Sequence, residues 1–261
     1  MNAHYIPILG STGVVTEHIL SAPPLSGRPH QSVYEQSAIQ NYPIGTRYQH
    51  GDRTFYYCLA AGTTAVAMKA GHNSIADTGV NTYAAIYAVG ETELRIEDTA
   101  TRAAHYYQNG YVWIMNLISG IYQMLKIKDS EGALAGDDHV HITLYEGLPF
   151  AVPASTFVTI WPNPYAAIIF TTSAYASMVC VPLIPVTSGY YFWGQTWGPC
   201  FGTAMSAIPG AASADRAVFF NGDGALINGA SLTTNGAQLA GFVITMTSGG
   251  GDQFYQLQLA P

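Results

Sequence analysis

One group of residues in the sequence has the chemistry of a metal site. Asp137, His139 and His141 follow a glycine and lie close together. On a β-strand His139 and His141 would share one face, and two imidazoles with a carboxylate can hold a divalent cation. No fourth ligand is evident in the sequence. A turn followed by a strand with outward-facing histidines explains the same residues more simply, and we expect neither a metal nor another cofactor.

Other patterns with catalytic potential have simpler explanations. Glu91, Glu93, Glu97 and Asp98 could supply a carboxylate pair for glycoside hydrolysis. They alternate with Leu94 and Ile96, which is typical of the solvated side of a half-buried strand. The segment 221–224 (NGDG) lacks the alternating acids and final glutamate of a calcium loop, and it predicts a turn. No Gly-x-Ser-x-Gly nucleophile motif occurs, so we expect no enzyme.

An uncharged aromatic run stands out at 190–197 (YYFWGQTW). Aromatic residues favour strands and bury large areas, so the run predicts a covered strand. Trp113, Trp161, Trp193 and Trp197 could line a sugar-binding groove, but core or interface positions are the commoner use of aromatic residues in strands. We expect most rings of the run to be core, and we expect the strand to end with the proline at 199, near a sheet edge and a subunit contact. The residues assigned to subunit contacts are Tyr190, Trp193 and Trp197, with Tyr5 and Ile6 near the N-terminus.

The composition predicts assembly. Only 10% of the residues are charged and 49% are hydrophobic, whereas an ordinary soluble domain has about 25% charged residues. The net charge of −7, with no basic cluster, argues against direct nucleic-acid binding and against an anionic membrane surface. The apolar run 166–186 contains prolines and hydroxyl residues, so we expect no membrane span. Cys58, Cys180 and Cys200 have no metal-type spacing and fit buried positions.

The remaining pattern predicts an all-β fold with little helix. Short alternating segments are separated by turns rich in glycine and proline, and 46–50 and 53–60 form a hairpin around Gly51. We therefore expect an antiparallel sandwich or barrel. Residues 1–35 contain four prolines and predict an extended N-terminal arm, which could lie on its own domain or reach a neighbour. The rest predicts β structure in two halves, 36–150 and 151–261, which could form one continuous fold.

Several short segments occur in a characteristic order along the chain. They are 42–47 (YPIGTR), 52–58 (DRTFYYC), 60–65 (AAGTTA), 142–149 (ITLYEGLP), 163–165 (NPY), 189–199 (GYYFWGQTWGP), 241–244 (GFVI) and 257–259 (LQL). Taken together, they resemble a family of virion structural proteins of tailed bacteriophages, common in environmental and marine phages. The resemblance implies a capsid-associated role and no catalytic residue.

From this resemblance and the composition we expect a capsid decoration (cement) protein. Its partners would be other copies of itself, in a homo-oligomer that could be a trimer, and the major capsid protein or other virion proteins. Its location would be the virion, after synthesis in the host cytoplasm. Two alternatives stay open, namely a coat or tube subunit that polymerises by itself, and a tail or fibre protein that binds host glycans.

Overall fold

The structure is a computed structural model and is nearly all β, which confirms the predicted fold class. Its elements are strands, in two curled, largely antiparallel sheets that form half-barrels. It describes residues 31–62, 67–73, 86–98, 100–116, 120–134, 136, 138–154, 156–171, 176–204, 216–229, 238–245 and 253–261, and the backbone of 15–16 and 81–82. Tyr5, Ile6 and Asp137 lie outside these residues, as does most of the expected N-terminal arm.

Two compact units divide the chain, and the second is inserted into the first. Unit 1 contains Met1–Ser74 and Tyr165–Pro261, and unit 2 contains Ile75–Pro164. This division differs from the predicted halves on either side of residue 150. The reason is long-range pairing: strand 53–59 is hydrogen-bonded to strand 191–202, which brings the two ends of the chain into one sheet. Local periodicity carries no information about such pairing.

Unit 1 contains an 11-stranded sheet. The strands are β1 (Val15–Thr16), β2 (Arg47–His50), β3 (Arg53–Leu59), β4 (Gly71–Asn73), β11 (Ile168–Ile169), β12 (Met178–Pro182), β13 (Tyr191–Gly202), β14 (Ala217–Phe220), β15 (Leu226–Asn228), β16 (Gln238–Thr245) and β17 (Gln253–Gln258). The main path of the sheet runs β1-β2-β3-β13-β17-β16-β14-β15, while β12 pairs with β13 and β4, and β11 pairs with β4. The pairs are antiparallel except that of β1 with β2.

Unit 2 contains a 6-stranded sheet. Its strands are β5 (Asn81–Thr82), β6 (Glu93–Glu97), β7 (Tyr111–Asn116), β8 (Ile121–Ser130), β9 (His139–Leu144) and β10 (Phe157–Trp161). Their order in the sheet is β5-β10-β7-β8-β9-β6. The core is largely aliphatic, with Val112, Ile114 and Ile160 among the buried residues. The edge strand β6 alternates buried Leu94 and Ile96 with exposed charged residues, a pattern that hinders pairing with another chain.

The aromatic run forms the first half of β13, and this strand does not end where the sequence predicted. It continues through Pro199 to Gly202 and lies between β3 and β17, in the interior of the sheet. Pairing with β3 ends at Trp197, while pairing with β17 extends from Trp197 to Gly202. Proline is tolerated at 199 because β13 pairs only with β17 at this point, and pairing along one edge uses only alternate N–H groups of a strand.

Gln195 stabilises the irregular point of β13. The register with β3 shifts between Gln195 and Trp197. The fully buried Gln195 side chain donates from Nε2 to the carbonyl oxygens of Trp197 at 3.0 Å and Pro199 at 2.9 Å. Carbonyl groups at and beyond the residue where pairing with β3 ends are thereby hydrogen-bonded, as buried backbone groups require.

Candidate assembly surface

Trp193 lies at the centre of an aromatic cluster within unit 1. Its ring centroid is 5.0 Å from that of Tyr57, 5.2 Å from that of Tyr42 and 5.5 Å from that of Tyr48. Only 1% of Trp193 is exposed. Its own chain therefore covers this residue. The prediction of a core strand is confirmed here, while a subunit contact through the Trp193 side chain does not fit its burial.

Gln31 connects the N-terminal segment to this aromatic cluster. The Tyr57 hydroxyl donates to Gln31 Oε1 at 2.6 Å, and Trp193 Nε1 donates to the Gln31 carbonyl oxygen at 3.2 Å. Gln31 Nε2 donates to the Tyr191 carbonyl oxygen at 2.9 Å. Burial raises the pKa of the Tyr57 hydroxyl above its usual range, so it stays a hydrogen-bond donor. The described end of the predicted arm, 31–35, is thus bound to its own unit.

The second half of β13 contributes to a different surface, the outer face of the unit 1 sheet. On β13 the residues Cys200 and Gly202 are buried, whereas Trp197 and Phe201 are not. Phe201 lies opposite Phe254 of β17, with ring centroids 4.9 Å apart. Phe242 of β16 lies opposite Gln256 of β17, and Leu239 of β16 lies opposite Phe219 of β14. We call this set the outer face; it comprises Trp197, Phe201, Phe219, Leu239, Phe242, Ile244 and Phe254.

Four members of the outer face are among the most exposed apolar side chains of unit 1. Phe201 and Leu239 are each 50% exposed, Phe242 is 45% exposed, and Ile244 is 42% exposed. None of the seven members carries a charge. A surface of this kind cannot act as an acid, a base or a metal ligand, but it can bury apolar area against another surface.

The sequence of β16 contains a signal for this outer face, which the predicted contact residues do not include. β16 places Ala240 and Val243 in the core and Leu239 and Phe242 outside. Apolar residues on both faces of one strand indicate cover on both sides. In unit 1 the inner side is the core of Val218, Leu226, Tyr255 and Leu257, and the outer side has no cover from the described residues.

Two other predicted contact residues are half-buried within unit 1. Trp197 lies on the same side of β13 as Phe201 and so belongs to the outer face. Tyr190 packs against the small core around Cys58, Cys180 and Phe192. Of the five predicted contact residues, Tyr5 and Ile6 lie outside the described residues.

The histidines of the possible metal site lie in unit 2, on β9. The alternation of β9 places both His139 and His141 on the less buried side, as predicted. His139 Nδ1 is 2.7 Å from a guanidinium nitrogen of Arg95 and also contacts the Asp138 carboxylate. The hydrogen bond with His139 lowers the pKa of Asp138. The described residues contain no group of three or more His, Cys, Asp or Glu side chains suited to a metal.

The four acidic residues near β6 divide between the surface and the interior. Glu91, Glu93 and Glu97 are exposed, which confirms the half-buried strand. The predicted solvated position of Asp98 is wrong, because this residue is buried. Asp98 Oδ2 accepts hydrogen bonds from the buried Tyr107 hydroxyl at 2.6 Å and from Arg102 Nε at 3.0 Å. Burial raises the pKa of Asp98, but hydrogen bonds from Tyr107, Ala100 and Arg102 outweigh it and leave that pKa below the ordinary value. This arrangement stabilises a charged carboxylate in place.

The segment 221–224 is a turn, as predicted. It connects β14 and β15, and the Gly224 N–H donates to the Asn221 carbonyl oxygen at 2.9 Å. Asp223 Oδ2 accepts from Lys69 Nζ at 2.9 Å, and Oδ1 accepts from the Ala225 N–H at 3.1 Å. Both carboxylate oxygens therefore bind donors of the chain, an arrangement of a structural turn.

Two of the four tryptophans come together in unit 2. The Trp113 ring lies 6.3 Å from Trp161 and 6.2 Å from Tyr122, and these rings are nearly parallel. Both tryptophans are half-buried, and Tyr122 is 58% exposed. We call these three rings the aromatic row. The row adjoins Met124, which lies opposite Trp113 and is 70% exposed.

Comparisons with known proteins give no match. No protein family matches the chain, and neither a curated protein nor a solved structure is significantly similar to it. In the part of the chain that the structure describes, no helix has the length and apolarity needed to span a membrane.

Proposed function

We propose that this chain is a non-enzymatic structural protein of a bacteriophage virion, a decoration protein that forms a homo-oligomer and binds the shell. The observation that carries the proposal is the outer face of unit 1. Its seven members are apolar and uncharged, and they extend over β13, β14, β16 and β17. The sequence resemblance to phage virion proteins is the reason for proposing a virion as the location.

A second copy of the chain is the occupant that this outer face fits best. Sheet faces pack against one another at about 10 Å, with apolar side chains interdigitating. A closed symmetric oligomer presents the same patch from each subunit, so a patch without charges meets no like-charge repulsion. The low charge content of 10% leaves few charged residues to solvate such a surface.

Electron microscopy tests the proposal at two levels. We expect negative-stain images of the purified protein to show small discrete oligomers of uniform size. Long tubes or closed shells would instead favour the self-polymerising alternative. In virions that carry the chain, we expect a cryo-electron microscopy map to place it on the outer surface of the capsid. A position in the tail, or absence from the particle, would contradict the decoration role.

Glycan binding is a second candidate, and the aromatic row of unit 2 favours it. Aromatic rings can stack on the apolar faces of sugars, and Tyr122 and Met124 are well exposed. Trp193 is not a suitable probe because its burial makes its replacement a test of folding. For this candidate we expect the unmodified protein to bind on a glycan array, Tyr122→Ala to abolish that binding, and Phe201→Ala to leave it intact. An array without signal for the unmodified protein would remove this candidate.

A further inference from the structure

Two of the three cysteines lie side by side in unit 1. The Sγ atoms of Cys58 on β3 and Cys180 on β12 are 3.9 Å apart, and both residues are fully buried. In a disulfide the two sulfurs are about 2.05 Å apart. A rotation of one or both cysteine side chains could bring the two sulfur atoms to this distance. Cys200, the third cysteine, is buried in a different core cluster of the unit.

Gly194 of β13 provides the space in which these two side chains meet. A Cβ atom at this position would lie 2.6 Å from the Cys180 Cβ and Sγ and 3.2 Å from the Cys58 Sγ. Any other residue would push at least one cysteine away. Gly194 does not have the positive φ that makes a glycine necessary for backbone reasons. Its small size is therefore what allows the two thiols to be neighbours.

The position of the pair in the chain gives it a structural consequence. Cys58 precedes unit 2 and Cys180 follows it, because unit 2 comprises Ile75–Pro164. A bond between them would join the two separate segments of unit 1 covalently. It would also enclose all of unit 2 in one loop. Long loops of this kind give the largest reduction in the entropy of the unfolded chain.

We propose that Cys58 and Cys180 form a reversible intramolecular disulfide when the protein passes from a reducing to an oxidising environment. The oxidant is a low-molecular-weight disulfide such as oxidised glutathione. One cysteine thiolate attacks this disulfide and forms a mixed disulfide, releasing one small thiol. The second cysteine thiolate then attacks the protein sulfur of the mixed disulfide and releases the second thiol. In total, two protein thiols lose two protons and two electrons, and the oxidant becomes two thiols.

Burial determines how fast this reaction proceeds. It raises the pKa of the Cys58 thiol well above its usual value, and neighbouring Cys180 adds to the effect. Because the thiolate is the reacting form, oxidation in the folded protein is slow and requires local opening. The dithiol therefore survives brief exposure to an oxidant, and the disulfide accumulates over prolonged exposure. This proposal concerns the stability of unit 1 and does not depend on the proposed virion role.

The test uses the full, unmodified protein and oxidised glutathione as the probe. After prolonged incubation under native conditions, the intact mass is measured before and after free thiols are alkylated in denaturant. Before alkylation, we expect a mass about 2 Da below that of the reduced protein. After alkylation, we expect one alkylated cysteine instead of three, and a linked peptide pair containing Cys58 and Cys180. We expect the oxidised form to melt roughly 5–15 °C above the reduced form, and dithiothreitol to reverse the shift.

Cys200 provides the matched control, because it is equally buried without a cysteine neighbour in its core cluster. Cys200→Ala should still form the bond, whereas Cys58→Ala and Cys180→Ala should retain two alkylatable thiols. Peptide mapping of the unmodified protein gives the answer even if a variant fails to fold. Three free thiols after prolonged exposure, with the oxidant still able to oxidise a reference peptide dithiol at the end, would overturn the proposal. A bond to Cys200, or one between two chains, would overturn it as well.

Discussion

The outer face of unit 1 should contribute most of the free energy of self-association. Phe242 is 45% exposed and Phe201 is 50% exposed. Since a large aromatic side chain buries about 150–250 Å², each ring has about 100 Å² left to cover. At about 25 cal/mol per Å² this area corresponds to roughly 2.5 kcal/mol per ring. A twofold interface contains each ring twice, so Phe242→Ala removes up to about 5 kcal/mol per dimer.

Association also orders side chains at the interface, and this cost reduces the upper value. We therefore expect Kd for self-association to rise at least about 100-fold in Phe242→Ala. Sedimentation equilibrium over a concentration series measures this change. The matched control is Ile86→Ala in unit 2, because Ile86 is 73% exposed and lies outside the outer face. The free energy of unfolding of both variants should lie within about 0.5 kcal/mol of that of the unmodified protein. An unchanged Kd in Phe242→Ala, or an equal rise in Ile86→Ala, would refute the reasoning.

Three further predictions concern stability. Trp193→Ala should lower the free energy of unfolding by about 3–5 kcal/mol in chemical denaturation, because its ring is fully buried. Trp197→Ala should lower the free energy of unfolding clearly less, and equal losses in the two variants would contradict the assignment of Trp193 to the core. The pKa of Asp98 is lower in the folded protein than the ordinary 3.8, so its stabilisation is present at neutral pH and is lost as the pH falls below that value. Asp98→Asn should therefore be less stable than the unmodified protein at pH 7, and it should lose less stability than the unmodified protein on acidification. Parallel profiles of stability against pH would count against the hydrogen bonds of Asp98 with Tyr107 and Arg102. Gly224 and Gly189 both have φ near +80°, but only at Gly224 would a Cβ lie 2.0 Å from a backbone oxygen. Thermal denaturation should show a loss of about 1–2 kcal/mol for Gly189→Ala and a larger loss for Gly224→Ala, and equal losses would contradict the predicted clash.

Local features of the fold could be predicted where one strand or turn determines them. The hairpin of β2 and β3 around Gly51 follows from its turn residues, and both strands pair as expected. β6 alternates buried and exposed residues as its sequence indicates. β17 does the same, with Tyr255 and Leu257 buried. These patterns depend on neighbours in the sequence, and hydrophobic periodicity reports them directly.

Features that depend on distant residues could not be predicted in this way. The insertion of unit 2 follows from the pairing of β3 with β13, which no local pattern encodes. Gln31 is an unremarkable polar residue in the sequence, yet it is 2% exposed and connects Tyr57 with Trp193. The proline at 199 indicated the end of a strand, but its effect depends on which neighbours pair with β13 at that point. Aromatic content predicted covered strands without indicating which rings lie inside and which lie on the outer face.

The most direct test of the account is a cryo-electron microscopy structure of the oligomer that the purified protein forms. The account predicts that Phe201 and Phe242 of each copy lie within about 4.5 Å of apolar side chains of a neighbouring copy. It also predicts that Trp193 remains enclosed by its own chain. An oligomer whose copies meet through other surfaces while the outer face stays open to solvent would contradict the central claim. A protein that remains a 27.9 kDa monomer at high concentration would contradict it equally.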